Sequence, residues 1–227
     1  MGRALHLKGR TPMNAQLRSH LYHCAVGDQV VFMDLAAVRY FLASPCLGKA
    51  FLEWRNSPAK APAEILFECK IVDHGVQPVS EPGRGHTVES SLLDDPLIRP
   101  SLGQITRAAL FQLKMERALR TRPLNEIIFS FRRRKLFLST PSQRQINEIG
   151  GDISGFQTSE MLINSDRKCL RRSLAMAELL LTRRFPADLV FGVRLRPFEA
   201  HCWLQHGPIL LNDRVENVRL FTPIFTA

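Results

Sequence analysis

Three residues far apart in the chain have the types and order to do covalent chemistry. Cys169 lies in NSDRKCLRRSLAMAELLLTRRF, among Arg167, Lys168, Arg171 and Arg172, where a helix is expected to begin. Asn164, Ser165 or Asp166 suits the cap of that helix. Leu170, Leu174, Ala177 and Leu181 follow at helical spacing and form its core face. Helix N-terminal amides and nearby cations both favour a thiolate, the nucleophilic form of cysteine. Taken alone, the segment fits better a structural cysteine beside a basic patch.

His201 and Asp213 alter that balance. Reading His206-Gly207-Pro208 as a three-residue hairpin loop pairs Gln205 with Ile209, Trp203 with Leu211, and His201 with Asp213. Directly opposed residues have Cβ atoms about 4.5–5.5 Å apart. A carboxylate there would orient the imidazole and stabilise its cation while the other ring nitrogen served Cys169. Trp203 and Leu211 would share the face and shield it from water. A register slip of one residue moves Asp213 to the opposite face. Cys202 alternates with His201 and is expected to point away, and His206 falls in the turn. Asp188 could replace Asp213, but no pairing supports it.

The sequence contains no GxxxxGK[ST] phosphate cradle and no HExxH metal helix. Its five cysteines have neither zinc-ligand spacing nor the even count of a disulfide framework. The expectation is therefore no metal and no cofactor bound by a recognisable motif. The opening MGRALHLKGRTPMNAQ is basic and lacks an apolar run, so it reads as no secretory signal, with Met13 a second candidate start. No stretch reads as a membrane span, and a cytoplasmic protein is expected.

The elements that would position these residues fall into two groups, an α+β reading. Residues 20–25, 29–34 and 38–42 have the β-branched and aromatic content of three short strands. CLGKAFLEWRN and a segment over 63–75 read as helices, completing a winged-helix-like N-terminal domain over 1–85. A linker over 86–97 leads into 98–227, where SLGQITRAALFQLKMERALRTR has Ser101 as its cap and LNEIIFSFRRRK follows Pro123 as another helix. A third helix is expected to break at Gly150-Gly151. After the Cys169 helix, ADLVFGVRL, AHCWLQHG and PILLND read as strands. Residues 1–95 carry ten Lys/Arg against ten Asp/Glu, so the whole net charge of +10 lies in the second half. That excess fits either an anionic partner or a solvated basic face.

A Cys-leading helix, a His-x-Trp strand and a short hairpin ending in Asp resemble the B proteins of lasso peptide biosynthesis. Here the pattern falls on Cys169, His201-Cys202-Trp203 and Asp213. VGDQVVFMDLAAVRYFLA resembles the PqqD-like precursor-recognition domain fused ahead of the protease in some of these pathways. The resemblance implies a papain/transglutaminase-like cysteine protease with a Cys169–His201–Asp213 triad. It would hydrolyse the leader–core bond of a lasso precursor peptide before an asparagine-synthetase-like cyclase closes the ring. It also implies a requirement for ATP. The leader would add as a strand at Val38–Leu42, with Val38, Tyr40 and Leu42 in contact and Trp203 at the active site. The alternatives are a transglutaminase-like acyl transferase, a non-catalytic precursor-delivery scaffold, and a winged-helix nucleic-acid binder. The last is disfavoured by the neutral first half, so no nucleic-acid partner is expected.

Overall fold

In the computed structural model, residues 15–57, 61–74, 86–94, 99–162 and 168–227 are described. The expected caps of the Cys169 helix, 164–166, lie outside them, as does Arg167. The chain is mixed α+β, with helices segregated from small sheets.

The first half opens with β1 (Ala15–Leu17), then a meander of β2 (Leu21–Val26), β3 (Gln29–Asp34) and β4 (Arg39–Leu42). β2 and β3 pair antiparallel with Cys24 opposite Val31, and β4 is an edge strand with Tyr40 opposite Met33. α1 (Pro45–Asn56) starts at Ser44, whose hydroxyl accepts from the Leu47 amide, and α2 (Glu64–Glu68) follows. The single helix expected over 63–75 is not what forms. Lys70 takes a positive φ of 53°, the helix stops, and β5 (Val72–His74) pairs with β1. Ile65, Leu66, Cys69 and Val72 fit a helical period over so short a span, but this turn interrupts it.

The sheet of β2, β3 and β4 has two apolar faces. Leu21, Val30 and Phe32 pack with Phe51 and Trp54 of α1 in a core of their own. Tyr22, Cys24, Val31 and Met33 join the main core of the second half, with Tyr22 and Phe225 ring centroids 4.2 Å apart. The two halves thus share one hydrophobic core.

β6 (Ser90–Ser91) pairs parallel with a strand of the second half, although sequence assigned it to the linker. Two serines present no apolar alternation, so nothing local marks them as a strand. α3 (Leu102–Thr121) begins with a capping box between Ser101 and Gln104, and α4 (Leu124–Lys135) follows Pro123. α5 (Gln143–Leu162) runs unbroken through Gly150-Gly151. Its glycines serve close packing on α3: a Cβ on Gly155 would meet the Gln104 backbone at 3.0 Å.

α6 (Lys168–Thr182) packs on β8 of a five-stranded sheet. That sheet contains β7 (Asp188–Arg194), β8 (Glu199–His206), β9 (Ile209–Leu210) and, after α7 (Val215–Val218), β10 (Thr222–Thr226), in the order β10-β7-β8-β9-β6. α7 and β10 lie beyond the strands expected from sequence. On one face of the sheet Trp203 is buried with Val88, Val190, Leu210, Val215 and Val218, and its Nε1 donates to Gln205 Oε1 at 2.8 Å. Trp203→Ala is expected to cost about 3–5 kcal/mol of stability, the range for a buried aromatic cut to alanine. Denaturant titration would measure it. A loss under 1 kcal/mol would mean the cluster does not hold α7 in place.

Candidate active site

The hairpin that positions His201 and Asp213 differs from the expected one, yet brings them together. The turn has two residues, Gly207 and Pro208, and pairs His206 with Ile209 and Gln205 with Leu210. Gly207 takes φ 55°, which suits glycine at a tight turn. Extended ideally, this register would place His201 opposite Arg214 and turn Asp213 to the wrong face. The chain instead leaves the strand after Leu210. Leu211 N–H donates to the Leu204 carbonyl, and Asn212 Oδ1 takes the Leu204 amide at 2.7 Å. Asn212 Nδ2 donates to Ser173 Oγ of α6, and Ser173 in turn donates to the Cys202 carbonyl. The bend over 211–213 re-aims Asp213, so its Oδ2 lies 2.5 Å from His201 Nε2.

Asp213 is held from every side. Its Oδ1 accepts from the Arg214 amide at 2.7 Å and from Asn217 Nδ2 at 3.1 Å, and its carbonyl accepts from Ser91 Oγ at 2.6 Å. Arg172 reaches to 4.0 Å from Oδ2. Burial alone would raise the carboxyl. The His201 and Asn217 hydrogen bonds and the Arg214 amide outweigh it and leave Asp213 below its ordinary value.

Cys169 sits in the first described turn of α6, partly buried, hydrogen-bonded to the imidazole. With Nε2 on Asp213, Nδ1 is the nitrogen left for the thiol. Burial disfavours the thiolate, but the His201 hydrogen bond and charge, the Leu170 amide and Arg172 together lower the Cys169 pKa. Burial also works against the imidazolium, yet bonds to Asp213 and Cys169 lift His201 to about 9. The lowered thiol and the raised imidazole both shift the pair toward thiolate and imidazolium. Arg171 does not contribute: it is buried and donates to Glu116 at 3.1 Å.

The remaining expected site residues are more scattered. Trp203 is 1% exposed, so it offers no surface to a substrate; its ring lies 6.0 Å from that of His201 and backs the imidazole. Leu210, not Leu211, shares its face, because the turn is one residue shorter than expected. Cys202 points into the main core, where burial keeps its thiol protonated. Val38 and Leu42 are exposed beside the β4 edge, and Tyr40 is half-buried between them. A groove of about 360 Å³ runs along β4, lined by Arg18, Arg39, Tyr40, Phe41, Cys69 and Lys70. Its far wall is the end of α2 and the Lys70 turn instead of a long helix. A second cleft, of about 420 Å³, opens beside His201 and Asp213 and is lined also by Arg172, Arg194, Glu199 and Phe221.

Sequence reasoning missed Asn217 and Ser91. Asn217 follows Asp213 by four residues, a helical spacing, but the four-residue α7 was not expected. Ser91 carries no local signal.

Residues 109–226, which contain this site, match a family model described as the transglutaminase-like superfamily. The chain belongs to that superfamily. Its sequence is also similar to the microcin J25-processing protein McjB of Escherichia coli, 42% identical over 45 residues. That match covers 20% of this chain and 22% of McjB, so the chain spans about a fifth of that relative's length. No solved structure matches. Among the described residues, no helix is long and apolar enough to cross a membrane, and no cluster of His, Cys, Asp or Glu could hold a metal ion.

Proposed function

We propose that the chain is a leader peptidase of lasso peptide biosynthesis. It binds the leader of a ribosomal precursor along β4 and hydrolyses the leader–core bond at Cys169. The observation that carries this reading is the hydrogen-bonded series Cys169–His201–Asp213 in a transglutaminase-like domain. The limited similarity to a microcin-processing protein narrows the substrate class.

Among the described residues one side of the β4 backbone has no partner strand, and an extended peptide adds to such an edge through main-chain hydrogen bonds. A three-stranded meander with two helices is compatible with the PqqD-like pattern that the sequence suggests. Binding on β4 raises the effective concentration of the cleavage site at Cys169, so the active site itself need not be selective.

Hydrolysis then takes two steps. The Cys169 thiolate adds to the scissile carbonyl, and His201 gives its proton to the leaving amine as the C–N bond breaks. Water, deprotonated by His201, then cleaves the thioester and frees the leader acid. The core, with its new amino terminus, passes to a cyclase of the asparagine-synthetase type.

An ATP requirement is implied by the resemblance alone, and the sequence shows no phosphate-cradling motif for it. The cleft beside the triad is lined by Arg172, Arg194 and Arg214 as well as by Glu199 and Asp213, and Glu199 already holds Arg194. The two hydrolytic steps balance without a nucleotide.

Mass spectrometry of the precursor incubated with the protein tests the reading. The expected products are two peptides whose masses sum to the precursor plus one water. An amine-linked product would assign the acyl-enzyme to transamidation instead. An intact precursor that still binds would make the protein a delivery scaffold.

A further inference from the structure

The groove along β4 is cationic, although the first half of the chain is neutral overall. Arg18, Arg39 and Lys70 line it, and among the described residues no carboxylate does. Arg18 is already neutralised, because its guanidinium donates to the buried Asp34 at 2.8 Å. Arg39 stands opposite Asp34 in the sheet, exposed, with its guanidinium 6.0 Å over the Phe41 ring. Lys70 is exposed at the positive-φ turn that forms the far wall. Among the described residues neither Arg39 nor Lys70 has a salt-bridge partner. Strand alternation fixes which side chains face the groove together. Tyr40 packs on the main core and Phe41 on the smaller one, so Arg39 and Phe41 share a face.

We infer that this groove selects a peptide strand carrying an acidic side chain, with an apolar one two positions away. A strand added to β4 places alternate side chains on the groove face, where they decide specificity while the backbone supplies affinity. The side chain opposite Arg39 enters a groove with two unpaired cations, Arg39 and Lys70. An opposite charge there is stabilising, and a basic residue in its place is rejected. The side chain opposite Phe41 meets an aromatic ring that is stacked on Phe32 with centroids 5.2 Å apart. Cross-strand neighbours on one face recur every second residue, which sets the spacing of the acidic and apolar positions. This inference rests on the proposal that the leader binds along β4.

The test measures binding of the full chain to the fluorescein-labelled leader of the precursor encoded in the neighbouring gene. A second probe is the same leader with every Asp and Glu replaced by Asn or Gln. The double variant Arg39→Gln, Lys70→Gln is expected to bind the natural leader about 5–20-fold more weakly, the sum of two partly exposed ion pairs. The neutralised leader should bind wild type and variant alike, within about twofold, which closes the cycle on the charge pair itself. Changing one acid at a time should find a single sensitive position, and an apolar side chain two residues from it whose change to serine also weakens binding. Cys69 lines the groove and is exposed, whereas Cys46 is exposed elsewhere, so bound leader should slow iodoacetamide labelling of Cys69 alone. Protection of Cys69 with equal affinity for the natural and neutralised leaders overturns the inference and leaves the β4 placement standing. So does a variant that loses as much affinity for the neutralised leader as for the natural one. A leader that binds without protecting Cys69, or does not bind the wild type, defeats the β4 placement and the inference with it.

Discussion

Cys169→Ala is expected to lower precursor cleavage by at least about 10³-fold while leaving leader binding unchanged. The loss follows from the chemistry, because alanine offers no nucleophile and the acyl-enzyme cannot form. The fold tolerates the change: Cys169 lies at the helix start, is only partly buried, and alanine is the best helix former. Thermal unfolding should therefore shift little. Site-resolved iodoacetamide labelling provides the companion measurement. Cys46 and Cys69 are exposed and will also react, whereas Cys24 and Cys202 are buried. Cys169 is expected to label at pH values where an ordinary thiol is protonated, since His201 and Arg172 hold its pKa down. Retained cleavage in Cys169→Ala would remove the cysteine from the mechanism. Slow labelling at low pH would remove the thiolate.

Asp213→Asn should reduce kcat by about 10²–10⁴-fold, the range seen when the orienting carboxylate of such a triad becomes an amide. The pH profile distinguishes this from a packing defect. On the proposed mechanism the working pair is thiolate and imidazolium. As pH falls, Cys169 gains a proton and activity drops on the acid side. As pH rises through about 9, His201 loses the proton it must give to the leaving amine, and activity drops on the alkaline side. The Asp213 carboxylate is a principal cause of the raised His201 pKa. Without it, the alkaline limb should move down toward the ordinary histidine value of about 6.5. A variant with lowered kcat and an unmoved alkaline limb would show that Asp213 only supports the hairpin. The roles of Asn217 and Ser91 predict the same direction with smaller effect, because Asn217 holds the carboxylate and Ser91 the Asp213 backbone carbonyl, and neither touches the imidazole.

The coupling between the two halves has a mechanistic consequence. Tyr22, Val31 and Met33 share a core with α6 and β8, so the sheet that carries β4 and the helix that carries Cys169 belong to one packed body. On the leader-peptidase proposal, a leader held on β4 meets a site at fixed distance, which favours one cut over many.

Much of this was legible in the sequence. The strands over 21–26 and 29–34, the Ser101 cap and the helix after Pro123 follow from alternation, capping and proline chemistry, all encoded within a few neighbouring residues. The residue types at 169, 201 and 213, and their order, also needed no structure. Tertiary packing decided the rest. A turn one residue shorter than expected would have misplaced Asp213, and it was the Asn212 contacts with Leu204 and Ser173 that bent the chain back. Gly150-Gly151 reads locally as a break, yet α5 continues because α3 packs closely against its glycines. Ser91 and Asn217 became supports of Asp213 only through contacts that the folded chain makes. Local periodicity sets which elements form. Register, bends and facing surfaces depend on partners that lie far away in the chain.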